Sequence, residues 1–269
     1  MTMNELRKTF HHELDDVRAE LVHLAAFVTE AIPRATNILL TGDLEGADYI
    51  ISGDDEIDAR ALDLEDRCVQ ILALQAPVAG DLRQILAAIR MIAEVERSAD
   101  LVCNICKAAR RIYGHQLDPS LRGIITRMGE QAQQLYIAAI EAFVENDAAK
   151  AAAIDDMDNF LDALQKHFVQ AIFESHSAGN IDLQVAVQLA VVARFYERIG
   201  DHAVNIGERV RYVVTGWMPE HKGAARYRAG TDDTGRTVRP PMADESDATS
   251  ADGSRDSADH DHDHDHGSV

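Results

Sequence analysis

The chain has 269 residues, 46 of them acidic and 26 basic, with a formal net charge of −20, 46% hydrophobic residues and three cysteines. That hydrophobic fraction supports a packed core and excludes wholesale disorder, and the acidic balance argues against sequence-independent binding to nucleic acid, which depends on Lys and Arg neutralising phosphates. No stretch approaches the run of 18 or more apolar residues that a membrane span needs, and the start MTMNELRKTFHHELDD has no apolar signal region, so a cytoplasmic protein with no direct membrane insertion is expected.

Taken in chain order, apolar residues recurring every three to four positions predict six long helices over about 3–41, 44–75, 79–113, 118–146, 148–175 and 181–215. Leu82, Ile85, Leu86, Ile89 and Ile92 show the pattern in the third, and Val185, Leu189, Val192 and Tyr196 in the sixth. No segment alternates in the manner of a strand. Asp81 and Asp182 stand at the heads of the third and sixth helices, where a carboxylate meets unpaired backbone N–H groups and the positive end of the helix dipole, and Pro119 suits the first turn of the fourth.

Residues 217–269 carry 12 acidic and 6 basic side chains and almost no large apolar residue after Trp217 and Met218, so they are expected to form a disordered tail. The remaining 216 residues then hold a formal charge of −14. Within the tail, the alternation from Asp259 to His266 offers imidazole and carboxylate groups to Ni²⁺, Zn²⁺ or Co²⁺ without a preformed geometry.

Comparing the chain with itself reveals a duplication. Asp81-Leu82, Glu96-Arg97, Asp100 and Asn104-Ile105 recur as Asp182-Leu183, Glu197-Arg198, Asp201 and Asn205-Ile206, all at an offset of 101 residues. A period this long, spanning three helices, points to an all-α fold of two tandem three-helix bundles: 1–115, 116–216, then the acidic His/Asp-rich tail 217–269.

Each half contains two D/E-x-x-x-D pairs: Asp54 with Asp58 and Glu96 with Asp100, then Asp158 with Asp162 and Glu197 with Asp201. Residues four apart share a helix face, so each pair places two like charges side by side, and antiparallel neighbouring helices can gather four carboxylates. Such a cluster is costly unless solvated, protonated or bound to cations, and facing helices that project carboxylates are a recurrent way to hold iron, manganese or other divalent ions. An isolated pair in so acidic a chain reads as a solvated helix face; the duplication beside small residues, Ser98-Ala99 and Ile199-Gly200, favours a site. His202, about 100° round the helix from Asp201, is a weaker candidate ligand. Cys103-Asn104-Ile105-Cys106 is formally C-x-x-C, but it lies inside a helix with no second pair and, like Cys68, reads as buried apolar surface. Ser98 has no sequence-evident His partner and no phosphate-binding glycine loop is present, so the chain is not read as an enzyme.

The segments ALQAPVAGDLRQILAAIRMIAEVERSADLVCNICK (73–107) and ARFYERIGDHAVNIGERV (193–210) resemble the PhoU family of phosphate-transport regulators, including its actinobacterial members, and the resemblance spans about 1–216. It implies tandem three-helix bundles, and it implies iron, zinc or another divalent metal at Asp54, Asp58, Glu96, Asp100, Asp158, Asp162, Glu197 and Asp201. Two departures stand out: Ser98-Ala99 replaces a frequent Ile-Gly, and simple offset counting sets Asn159 rather than Asp162 opposite Asp58, with Asp155 as a substitute. The resemblance further implies a cytosolic negative regulator of the phosphate-starvation response. Its partners would be the ATPase of a phosphate-specific ABC transporter and a sensor histidine kinase, with a homodimer as its assembled form. A metal-storage protein or dinuclear carboxylate metalloenzyme is the alternative reading.

Overall fold

The computed structural model describes residues 3–217, which lie in one compact unit. The expected disordered tail beyond Trp217, including the Asp259–His266 tract, lies outside the described residues.

Seven helices make up the body: α1 (Met3–Thr41), α2 (Leu44–Ser52), α3 (Asp54–Gln75), α4 (Ala79–Arg111), α5 (Pro119–Glu145), α6 (Ala148–Ser177) and α7 (Leu183–Thr215). There is no strand among the described residues. The one long helix expected over 44–75 is broken. Gly53 ends α2, its N–H donating to the carbonyls of Tyr49 and Ile50, and α3 starts at once with Asp54, Asp55 and Glu56 in its first turn. Glycine is a poor helix former, and three acidic residues stabilise a new N-terminus through the helix dipole, so breaking here costs less than continuing.

The other helix starts follow side-chain chemistry. Asp182 Oδ1 accepts from Val185 N at 2.8 Å. Asp118 precedes Pro119 and accepts from Leu121 N at 3.0 Å, while its second oxygen takes the Ser175 hydroxyl at 2.6 Å and so ties the head of α5 to α6. Asp81 does not cap. Helix α4 starts earlier, at Ala79 after Val78, which leaves Asp81 inside the first turn where only the dipole is served.

Helices α1, α3 and α4 pack together in the first half with α2 against them, and α5, α6 and α7 in the second. The halves meet through α4 on α7 and α1 on α5, and one continuous set of buried side chains runs through both. At that interface each helix therefore packs on its own counterpart in the duplication, which is what an approximate two-fold axis between the halves produces. Arg18 of α1 clamps the end of α5: it stacks 4.5 Å over the Phe143 ring and donates to Phe143 O, to Val144 O at 2.8 Å and to Asn146 Oδ1 at 3.1 Å.

Pro33 lies in the interior of α1, where it has no N–H for the carbonyl of Thr29. Gln133 on α5 supplies the missing donor, its Nε2 reaching Thr29 O at 3.2 Å. Three residues on, Thr36 Oγ1 meets Tyr196 OH of α7 at 2.7 Å, and Gly129 leaves the space for Thr36, since a Cβ there would collide with its hydroxyl. Replacing Gln133 by Ala is expected to cost about 1 kcal/mol of unfolding free energy, the worth of one half-buried hydrogen bond, in urea titration. A Pro33→Ala background should abolish that cost, because the backbone donor is then restored.

Candidate metal centres

Helix α3 brings Asp54 and Asp58 to α4, which carries Glu96 and Asp100 on its adjoining face. Burial, then Asp54, Asp100 and Asp55, raise the Asp58 carboxyl above the ordinary carboxylate range. Burial, then Asp100 and Asp58, raise Glu96 against the opposing pull of Arg97, and Glu65 adds a further negative charge. The four sequence-predicted acids of the first half thus form one electrostatic cluster. Its fifth acid, Glu65, had no sequence signal beyond lying seven residues after Asp58, two turns along the same helix.

The second half repeats the arrangement. Asp158 is pushed up to about 6 by burial first, then by Asp162, Asp201, Glu197 and Asp155. Glu197 is raised by burial and Asp201, and Asp201 by burial, with Arg194 opposing in both. The α6 contribution comes from Asp158 and Asp162. They follow Asp54 and Asp58 at an offset of 104 residues, three more than the 101 that relates α4 to α7, so neither Asn159 nor Asp155 is needed as a substitute. The small residue beside Asp201 has a purpose in the packing: a Cβ on Gly200 would collide with Asp158 Oδ1 and crowd Leu161. Gly200→Ala is expected to push α6 from α7 and cost about 1–3 kcal/mol, read as a lowered melting temperature.

The halves differ in detail. Arg194 donates to Glu197 and gives the second cluster a resident counter-charge, whereas the matching position of α4 is Ala93. In the first half Cys103, 2% exposed, lies against the junction of α2 and α3, its thiol 3.6 Å from Ile50 O. Burial, then a hydrogen bond with Asp54, hold that thiol far above the usual range. Its counterpart in α7 is Val204.

His202 is turned away from ligand duty. Its Nδ1 meets Glu94 Oε2 at 2.6 Å, and Asn205 Nδ2 donates to the same oxygen at 3.0 Å, so α7 and α4 share a buried polar bridge across the two halves. Burial works to raise Glu94, but the His202 and Asn205 hydrogen bonds win and hold it below its usual value.

The clusters suit a cation by donor chemistry. Asp54 Oδ1, Asp158 Oδ1 and Glu197 Oε2 are buried oxygens without a hydrogen-bond partner, one in the first cluster and two in the second. Buried oxygens without a hydrogen-bond partner are what a hard cation satisfies. Among the described residues no three His, Cys, Asp or Glu side chains are placed so as to hold one metal ion.

Both halves of the body are matched by known proteins. The PhoU domain model matches residues 21–109 and again 125–210. The chain is 34% identical over 216 residues to the phosphate-specific transport system accessory protein PhoU homolog 1 of Mycobacterium leprae, covering 80% of this chain and 96% of the relative. To PhoU homolog 2 of Mycobacterium tuberculosis H37Rv it is 34% identical over 215 residues, covering 80% and 100%. The crystal structure of PhoU from Pseudomonas aeruginosa superposes with a TM-score of 0.73 at 28% identity, covering 77% of this chain and 100% of that one. That of the phosphate transport system regulatory protein PhoU from Streptococcus pneumoniae gives 0.72 at 26%, covering 78% and 98%. With both repeats matched and its relatives covered almost end to end, the chain belongs to the PhoU family.

Proposed function

We propose that this chain is a regulator of phosphate transport that couples a phosphate-specific ABC transporter to a sensor histidine kinase and represses the phosphate-starvation response when phosphate is plentiful. The observation that carries this reading is the extent of the likeness: the whole two-bundle body matches relatives named as phosphate-specific transport system accessory proteins. The body's charge supports it. A formal −14 on 216 residues attracts basic partner surfaces, and long helix faces offer docking area. No described helix is long and apolar enough to cross a membrane, which leaves membrane contact to a partner.

The two carboxylate clusters are, on this reading, cation sites that hold α3 to α4 and α6 to α7. Asp54, Asp58, Glu96 and Asp100 would hold one ion or cluster, and Asp158, Asp162, Glu197 and Asp201 the other. Bound iron, zinc or a similar dication would supply positive charge that cancels the repulsion between carboxylates. The protein's own contribution is to fix the four acids on rigid helix faces and, through Gly200, to let Asp158 approach α7.

The test is a pull-down with the full chain from phosphate-replete cells, combined with deletion of the gene and of any homologue in the same genome. Recovery of a transporter ATPase and a histidine kinase, with starvation genes expressed in rich medium after deletion, is expected. Recovery of neither, with normal repression, would overturn the regulator and favour a metal-storage protein or metalloenzyme.

A further inference from the structure

Helices α3, α4, α7 and α6 lie side by side in that order, with α1 and α5 packed behind them. Arg111 of α4 donates to Gln188 of α7 at 3.4 Å and Glu94 meets His202, so α4 and α7 run antiparallel. The outer side of this layer exposes large apolar residues at matched positions of the two repeats. Val69 on α3 and Leu86 on α4 have Phe173 on α6 and Val187 on α7 as counterparts, at the same offsets of 104 and 101 that relate the carboxylate pairs, and exposure runs from 38% at Leu86 to 64% at Phe173. Eleven residues along α6 from Asp162 and ten back along α7 from Glu197 lead to Phe173 and Val187, so the hairpin sets the two side by side; the same steps from Asp58 and Glu96 lead to Val69 and Leu86. Eleven residues are close to three whole turns and ten fall just short of three, which keeps each apolar residue on the side of its helix that carries the acids. Leu183 and Val191, also exposed, widen the second patch. Because α4 and α7 are antiparallel, the patches fall at opposite ends of the face with the carboxylates between them. The stretch of α4 from Leu86 to Arg111, which faces Gln188, spans about 38 Å.

We propose that this four-helix face docks a two-fold symmetric pair of proteins, each copy setting an apolar anchor on one patch and Lys or Arg side chains against the carboxylates nearer the axis. The inference rests on the regulator reading given above and deepens it: the occupant is the pair of ATPase subunits of the transporter, bound by one chain laid across both. Two observations select such an occupant. The first is symmetry, since the apolar patches are related by the same approximate two-fold axis as the halves, and a partner with its own axis engages both at once. The second is charge: the middle of the face holds the eight carboxylates against Arg97, Arg194 and Arg198, in a body of formal charge −14. Two bound dications would lower that charge without reversing it. Exposed apolar residues bordered by charge are the usual form of a protein-binding surface, in which the apolar anchors supply most of the affinity and the charges supply encounter and register.

The test is binding of the full chain to the detergent-solubilised phosphate transporter with both ATPase subunits in place, read as affinity and, by light scattering, as stoichiometry. One chain per transporter is expected, because one face spans both subunits. Phe173→Ser with Val187→Ser, and separately Val69→Ser with Leu86→Ser, should each weaken binding about tenfold or more, the worth of burying one or two apolar side chains. Ile137→Ser with Val144→Ser, which removes two exposed apolar residues from α5 behind the layer, should leave affinity unchanged. All six positions are solvent-exposed, so unchanged melting temperatures are expected and show that each variant is folded. Affinity should also fall as salt screens the carboxylates. Two chains per transporter, a loss confined to one patch, or an equal loss in the α5 variant would overturn the docking face. If the wild type binds and neither patch variant weakens it, the docking face alone falls. If the wild type does not bind the transporter at all, the regulator reading falls and the docking face with it.

Discussion

Replacing Glu94 by Ala is expected to lower the unfolding free energy by about 3 kcal/mol, since it leaves two buried polar groups of α7 without their acceptor. Glu94 reaches across from α4 to His202 and Asn205 on α7, and the His202 side chain is only 8% exposed. Without the carboxylate, the imidazole Nδ1 and the Asn205 amide lose their shared acceptor at a place water does not easily fill. For a body of this size the loss corresponds to a fall of roughly 10 °C in melting temperature. Glu94→Gln should cost less, because an amide oxygen still accepts. A double-mutant cycle with His202→Leu should show a coupling of about 1–2 kcal/mol, and additivity of the two single losses would show that the bridge stabilises nothing.

The opposite sign is expected at Asp158. Its folded-state pKa of about 6 stands above the ordinary 3.8, so the fold prefers the protonated form. Stability from that proton is fully present below about pH 4 and is lost as the pH rises through about 6. The shift corresponds to at most about 3 kcal/mol by linkage, and because Asp158 is only half-buried, screening reduces the expected figure to about 1 kcal/mol. In protein freed of metal by a chelator, Asp158→Asn should match the wild type only below about pH 4 and exceed it by that amount at pH 7.5, with the gap narrowing as salt is added. Divalent cations should stabilise the wild type more than the variant. A variant that is less stable than the wild type at pH 7.5 in chelator would mean that the cluster is not strained by its own charge.

The features legible in the sequence were those written in periodicity. Helix-period apolar residues gave the helices to within a few residues, except at Gly53, where a local contest between glycine and an acidic first turn decided against the longer pattern. The 101-residue offset located Glu96, Asp100, Glu197 and Asp201 on corresponding faces of α4 and α7. It misregistered α6, because the repeat spacing is three residues longer for that helix, and only packing shows that Asp158 and Asp162 are the ones facing α7. Contacts between the halves left no trace in a single chain: Glu94 with His202, Gln133 with Thr29 and Thr36 with Tyr196 join residues 104 to 160 positions apart, each an ordinary polar residue in a helical stretch.

A body in which α1 lies on α5 and α4 on α7 has the arrangement of a two-fold dimer whose two copies are joined in one chain through residues 112–118. The short connection holds each half at a millimolar effective concentration of the other, so association never depends on how much protein the cell makes. Fusion also frees the copies to diverge, since a substitution is no longer imposed twice about the axis. The bridge between Glu94 and His202 uses that freedom, for their counterparts are Phe195 and Leu101, and so does the single cysteine beside one cluster where the other has Val204. Two copies of one sequence can in this way take on different side chains at matching positions within a single chain.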